Sequence, residues 1–188
     1  PGPGEGKTTT IVNLAITYAN LGKRTILIDT DLRKPVIHKV FDVDREPGIT
    51  SVISGKRDDY LEVVQKTDID NLDIITSGII PPNPSEILAS NNMSSLVCNL
   101  KENYDIILLD SPPMLAVTDS VVNLKYADQF ILVVRASKTE KGGLDRTLEL
   151  INQVNAPFSG VVMNAVDESS SYGRGYYYSY YQYYYGDK

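Results

Sequence analysis

The chain is poor in the residues that build disulfide frameworks and Cys/His metal centres. Among 188 residues it has one cysteine (Cys98), one histidine (His38) and no tryptophan. A lone thiol cannot close an internal disulfide, and a lone imidazole has no second to share a metal, so both classes of site are excluded. The cysteine usage fits a reducing compartment. Cys98 lies in an apolar helical stretch and is expected to be a packed thiol rather than a nucleophile; His38 is assigned to structure or surface. No run of about eighteen apolar residues occurs, so no segment of this sequence spans a bilayer as a helix. Positive charge is also short: eighteen Lys and Arg stand against twenty-four Asp and Glu, a net charge of −6. That balance argues against general binding to nucleic acid.

What is present suffices for one folded domain, because 42% of the residues are hydrophobic and the length allows a substantial core. The division read from composition is a domain over residues 1–166 and a linker with a tyrosine-rich tail over 167–188. Nine of the thirteen tyrosines fall between Tyr172 and Tyr185, behind a stretch rich in Ser and Gly that reads as a flexible linker. The tail has no helical or strand period and is of low complexity.

The first ten residues, Pro1-Gly2-Pro3-Gly4-Glu5-Gly6-Lys7-Thr8-Thr9-Thr10, organise the rest. Gly4 and Gly6 free the backbone to curl, so that N–H groups can point at phosphate oxygens, while Lys7 adds a cation and Thr8 a hydroxyl for Mg²⁺. The pattern is incomplete, since Pro1 stands where a full P-loop has Gly. Such a loop follows a buried strand, which would lie upstream of Pro1. A helix is expected directly after it, from Ile11, Leu14, Ala15, Tyr18 and Leu21 at helical spacing, ended by Gly22.

Apolar runs then mark strands at Thr25–Ile28, Leu72–Thr76, Tyr104–Asp110, Phe130–Val134 and Phe158–Asn164, alternating with helical stretches. This predicts an α/β fold, a mostly parallel sheet with helices on both faces. The stretch from Lys34 to Asp70 reads as short helices and turns. Asn83 is the expected cap of a helix with Pro84 in its first turn, and a further helix runs from about Met93 to Asn103.

Two of these strands end in carboxylates: Asp29-Thr30-Asp31-Leu32-Arg33 after the first and Asp110 after the third. Parallel sheets gather ligands at the carboxyl ends of their strands, so Asp29, Asp31 and Asp110 are expected to face the same site as Lys7 and Thr8. The alternative reading of Asp29 and Asp31 is that they cap the segment that follows. Arg33 is expected to pair with one of them or with a neighbouring subunit.

Gly4 to Thr9, Ile26 to Arg33, Ile106 to Asp110 and the tyrosine cluster together resemble the bacterial tyrosine kinase (BY-kinase) family of capsular and exopolysaccharide export systems, whose fold is that of P-loop ATPases of the MinD/ParA type. The resemblance runs from Pro1 to Tyr185. It implies ATP and Mg²⁺ as cofactors, with Gly4, Glu5, Gly6, Lys7, Thr8 and Thr9 cradling the phosphates. It also implies Thr8, Asp29, Asp31 and Asp110 around the metal, one of the first two aspartates activating an incoming tyrosine hydroxyl, and Asn164 near the adenine. The implied acceptors are Tyr176, Tyr177, Tyr178, Tyr180, Tyr181, Tyr183, Tyr184 and Tyr185 of a neighbouring subunit in a ring. A membrane adaptor or activator at the inner face of the cell membrane, a cytoplasmic location and a tyrosine phosphatase complete the pattern. Two other readings stay open. One is a MinD/ParA-type ATPase, although that group carries an additional Lys where this chain has Gly2; the other is a non-enzymatic, nucleotide-gated regulator of polysaccharide assembly.

Overall fold

The computed structural model describes residues 1–57 and 59–167. The first helix, α1 (Lys7–Asn20), is followed by strand β1 (Thr25–Asp29). Two short helices, α2 (Ile37–Val40) and α3 (Ile49–Ile53), precede strands β2 (Val64–Lys66) and β3 (Leu72–Ile75). Helices α4 (Pro84–Leu88) and α5 (Asn91–Asn103) lead to β4 (Ile106–Asp110), and α6 (Asp119–Asn123), β5 (Phe130–Arg135), α7 (Lys141–Gln153) and β6 (Phe158–Asn164) complete the described chain.

The strands form two sheets, one in the order β2-β3-β1-β4 and one of β5 with β6. Among the described residues pairing is parallel for β1 with β3, β1 with β4 and β5 with β6, and antiparallel for β2 with β3. The expected parallel α/β architecture is therefore present, with two differences. The run around Tyr60–Val64, read as helix and turn, gives way at Val64 to a three-residue edge strand held by β3. The expected single sheet is divided, because among the described residues no strand lies between β4 and β5. A cavity of about 600 Å³ lies there instead, lined by Ile106–Asp110, Phe130–Val133 and the α1 side chains Ile11 and Leu14.

Why β1 sits at the centre follows from its side chains. Successive residues of a strand point to opposite faces, and here Leu27 joins Val12, Ala15 and Ala19 of α1 on one face. Ile26 and Ile28 join Ile53, Leu96, Val97 and Leu100 from α3 and α5 on the other. All five β1 residues are buried, which is the reason the sequence there is apolar without alternation. A third cluster, centred on Leu132, Val134 and Ile151, fastens α7 to β5.

Helix ends differ in detail from expectation. Asn83 makes no capping bond; its amide donates to Glu86 instead at 2.6 Å. Ser90 is the working cap of α5, accepting from the Met93 N–H at 3.3 Å. Cys98 is an exposed free thiol, not a packed one. The buried stripe of α5 is Met93, Leu96, Val97 and Leu100, and Cys98 falls off that stripe. Among the described residues no helix is long and apolar enough to cross a membrane.

Candidate active site

The site is set by a strand register. β1 and β4 run in parallel with Asp29 directly beside Asp110, so two carboxylates end adjacent strands at the same height. Both are buried, at 0% and 2% exposure. The loop that holds Lys7 and Thr8 arrives over these strand ends because α1 packs against β1 and β4. Contact is direct: the Thr8 hydroxyl donates to Asp110 Oδ2 at 2.7 Å across 102 residues of sequence.

The loop itself has the backbone a phosphate cradle needs. Gly4 and Gly6 both adopt positive φ, 70° and 92°, a conformation costly for any residue with a Cβ. A Cβ on Gly6 would also stand 1.9 Å from Asn164 Nδ2. The first intrahelical bond is Thr10 N–H to the Gly6 carbonyl at 2.9 Å, so the amides of Lys7, Thr8 and Thr9 lie ahead of it, at the positive end of the helix dipole. Lys7 Nζ donates to the Gly2 carbonyl at 3.1 Å. Burial holds its pKa below the usual lysine range, against the opposing charges of Asp110, Glu5 and Asp31.

Asp29 partly follows the capping alternative. Its Oδ2 accepts from the Val36 and Ile37 amides at 3.0 and 3.1 Å, at the start of α2. Its Oδ1 is buried and has no hydrogen-bond partner among the described residues. Burial, with the charges of Asp110 and Asp31 added, pushes this carboxyl up to about 7, although the Ile37 and Val36 amides oppose the rise. Asp110 is pushed up to about 6, again by burial first, with Thr8 and Lys7 opposing and Asp31 adding to it. Asp31 is half-buried, and its Oδ1 accepts from the Arg33 and Lys34 amides at 3.2 and 3.0 Å.

These residues fit a hydrated Mg²⁺ better than a protein-only metal cage. Among the described residues no group of three or more His, Cys, Asp or Glu is close enough to hold a metal alone. Mg²⁺ is characteristically bound by one or two carboxylates together with phosphate and water. An orphaned Asp29 oxygen, the Asp110 carboxylate and the Thr8 hydroxyl supply that kind of oxygen set.

The other expected residues are placed as follows. Glu5 is turned back into its own loop, where Oε1 accepts from Thr139 and Oε2 from the Gly2 amide, each at 2.7 Å. Asn164, at the end of β6, donates to the Glu5 carbonyl at 3.1 Å and so braces the loop. Thr9 is exposed in the first turn of α1. Tyr176, Tyr177, Tyr178, Tyr180, Tyr181, Tyr183, Tyr184 and Tyr185 lie outside the described residues.

Sequence reasoning missed the segment that follows β5. Lys138 Nζ donates to the Pro3 and Gly4 carbonyls at 3.1 and 3.3 Å, and an Arg135 guanidinium nitrogen reaches the Gly4 carbonyl at 3.3 Å. The available signal was position, since this polar loop leaves the carboxyl end of a parallel strand, where ligand sites gather. Arg33 pairs with neither of the aspartates expected for it: its guanidinium grips Asp119, not Asp29 or Asp31.

Residues 2–160 match the family model described as an AAA domain. The chain is 40% identical over 175 residues to the tyrosine-protein kinase YwqD of Bacillus subtilis, covering 93% of this chain and 73% of that protein. It is 36% identical over 172 residues to the tyrosine-protein kinase ptk of Acinetobacter johnsonii, covering 91% of this chain but 23% of that longer protein. The solved kinase domain of the Escherichia coli tyrosine kinase ETK superposes with a TM-score of 0.86 at 31% identity, over 90% of this chain and 66% of that one. The loop whose Thr8 bonds Asp110 at the carboxyl end of β4 is thus set in the fold that these relatives share, and the chain belongs to the bacterial tyrosine-protein kinase family.

Proposed function

We propose that this chain is the catalytic domain of an ATP-dependent protein-tyrosine autokinase, which phosphorylates the tail tyrosines of a neighbouring copy and thereby regulates capsular or exopolysaccharide polymerisation and export. The observation that carries the reading is the 2.7 Å bond between Thr8 and Asp110, with the orphaned Asp29 oxygen on the adjacent strand. Phosphoryl transfer needs positioning and neutralised charge more than covalent help. In this reading the Gly4–Thr9 backbone and the start of α1 cradle the phosphates, and Lys7 neutralises the transferring group. Thr8, Asp110, Asp29 and Asp31 form the place for Mg²⁺, which when bound draws charge from the phosphate oxygens. Asp29 or Asp31 orients the incoming phenol and takes its proton late in the transfer; a phenol has a pKa of about 10, so a carboxylate suffices only as the new bond forms. Asn164 serves by fixing the loop, and the adenine lies on its side of the site.

The acceptors proposed are Tyr176, Tyr177, Tyr178, Tyr180, Tyr181, Tyr183, Tyr184 and Tyr185. Covalent attachment through a short linker keeps such groups at an effective concentration of order mM near a site. Each phosphate adds about −1.5 to −2 charges, which makes neighbouring tails repel and offers a switch between assembled and dispersed subunits. The partners proposed are a membrane adaptor that activates the kinase at the inner face of the cell membrane, further copies in a ring, and a phosphatase that resets the tail.

The test is complementation. A Lys7→Met chain with an intact tail is mixed with an active chain whose eight acceptors are Phe, in the presence of Mg·ATP and the activating adaptor. Phosphotyrosine on the Lys7→Met chain is the expected result. A signal confined to single-chain reactions would overturn transfer between subunits, and ATP turnover without any phosphotyrosine would overturn the kinase reading.

A further inference from the structure

Asp31 stands on a loop beyond the end of β1, where no ladder bond fixes it, yet its charge acts on Lys7, Asp29 and Asp110 together. Its orientation comes from the two backbone N–H groups that follow it, those of Arg33 and Lys34. The side chain of Arg33 is in turn committed elsewhere. Its Nε donates to Asp119 Oδ2 at 2.8 Å and its terminal nitrogen to Oδ1 at 3.1 Å, a two-pronged grip on a carboxylate. Asp119 is fully buried and Arg33 is 43% exposed. Ser85, at the start of α4, donates to the same Oδ1 of Asp119.

Asp119 begins α6, on the segment that leaves β4 after Asp110. The Arg33–Asp119 pair therefore ties together the two loops that carry the site's acids. We infer that Arg33 and Asp119 are positioning residues, a clamp that holds the Arg33 and Lys34 amides where they aim the Asp31 carboxylate at the phosphate cradle. The inference rests on the proposed phosphotransfer chemistry. Planarity matters here, since the guanidinium satisfies both oxygens of Asp119 at once and an ammonium could meet only one. An ion pair kept for stability alone would not need to be joined, through two consecutive amides, to a carboxylate of the site.

The test uses Asp119→Asn, which keeps the shape and Ser85's partner but removes the charge gripping Arg33. The double variant Arg33→Ala/Asp119→Asn removes both ends without leaving a buried charge unpaired. Amide exchange in the nucleotide-free chain is followed by mass spectrometry, and the rate of ATP turnover is measured with its KM. Exchange is expected to rise about tenfold or more over Leu32–Lys34 while β1 keeps its protection. Turnover is expected to fall at least about tenfold with the KM for ATP held within about twofold, the signature of an interaction made in the transition state. Asp119→Asn added to Asp31→Asn should lower turnover no further. Unchanged exchange at Leu32–Lys34, a rise spread evenly over the chain, or additive losses with Asp31→Asn would each overturn the clamp. A wild-type chain that turns over no ATP would sink the kinase reading alone, because the exchange arm tests the clamp without it.

Discussion

Replacing Asp29 by Asn should make the nucleotide-free protein more stable while abolishing phosphotransfer. Asn retains an oxygen for the Val36 and Ile37 amides that now bond to Oδ2, so the start of α2 keeps its cap. What disappears is a charge sealed from water beside Asp110 and Asp31. In the folded chain the carboxyl is lifted from 3.8 to about 7. At about 1.4 kcal/mol per pH unit, the ionised group costs the fold on the order of 4 kcal/mol at pH 8. The sign follows from proton counting. Between about pH 4 and pH 7 the folded state holds a proton that the unfolded chain has lost, so stability falls as pH rises through that window and levels off above it. Urea unfolding at pH 5 and pH 8, without Mg²⁺ or nucleotide, measures both effects. The wild type should lose about 2–3 kcal/mol between the two pH values through this group. Asp29→Asn should lose much less and should exceed the wild type at pH 8. A variant no more stable than the wild type at pH 8 would refute the argument that Asp29 is held at a cost to the fold.

Gly6→Ala places a methyl group 1.9 Å from Asn164 Nδ2 at a φ of 92°, so ATP affinity should fall at least about tenfold by calorimetry, with roughly 1–3 kcal/mol of stability lost to strain. Thr8→Val removes the donor at 2.7 Å from Asp110 and should lower turnover by about a hundredfold or more, most severely at low Mg²⁺. Leu27→Ala empties a fully buried position against α1 and should cost about 2–5 kcal/mol in urea unfolding. The Asp105 carboxyl is held down to about 2, first by its bond to the Arg24 side chain. The stability it contributes is complete above about pH 4 and lost as pH falls toward 2, and Asp105→Asn should remove that acid limb from a melting curve.

The strands and their acids were legible because their signals are local. A run such as Ile106–Leu109 closed by Asp110 states both burial and the place of the charge, and the Gly4–Thr8 spacing states the loop. What escaped was long-range or short of pattern. Arg33 and Asp119 lie 86 residues apart, and neither carries a mark of the other, so the nearer aspartates looked like the natural partners. β2 has only three residues, Val64, Gln65 and Lys66, too few to show a period of two, and exists because β3 offers it an edge. Cys98 is the instructive miss. The spacing of Met93, Leu96, Val97 and Leu100 already described the buried face of α5, and counting along it would have put the thiol outside.

The parallel register that sets Asp29 beside Asp110 also carries the hydrophobic sorting of both strands. If β4 slid by one residue, Leu108 would trade faces with Ile107 and Leu109, and the two acids would part by about 3.3 Å along the sheet. The same ladder of amide bonds thus assigns side chains to two apolar faces below and gauges charge above. A sequence change that loosens it should silence the chemistry well before the chain comes undone.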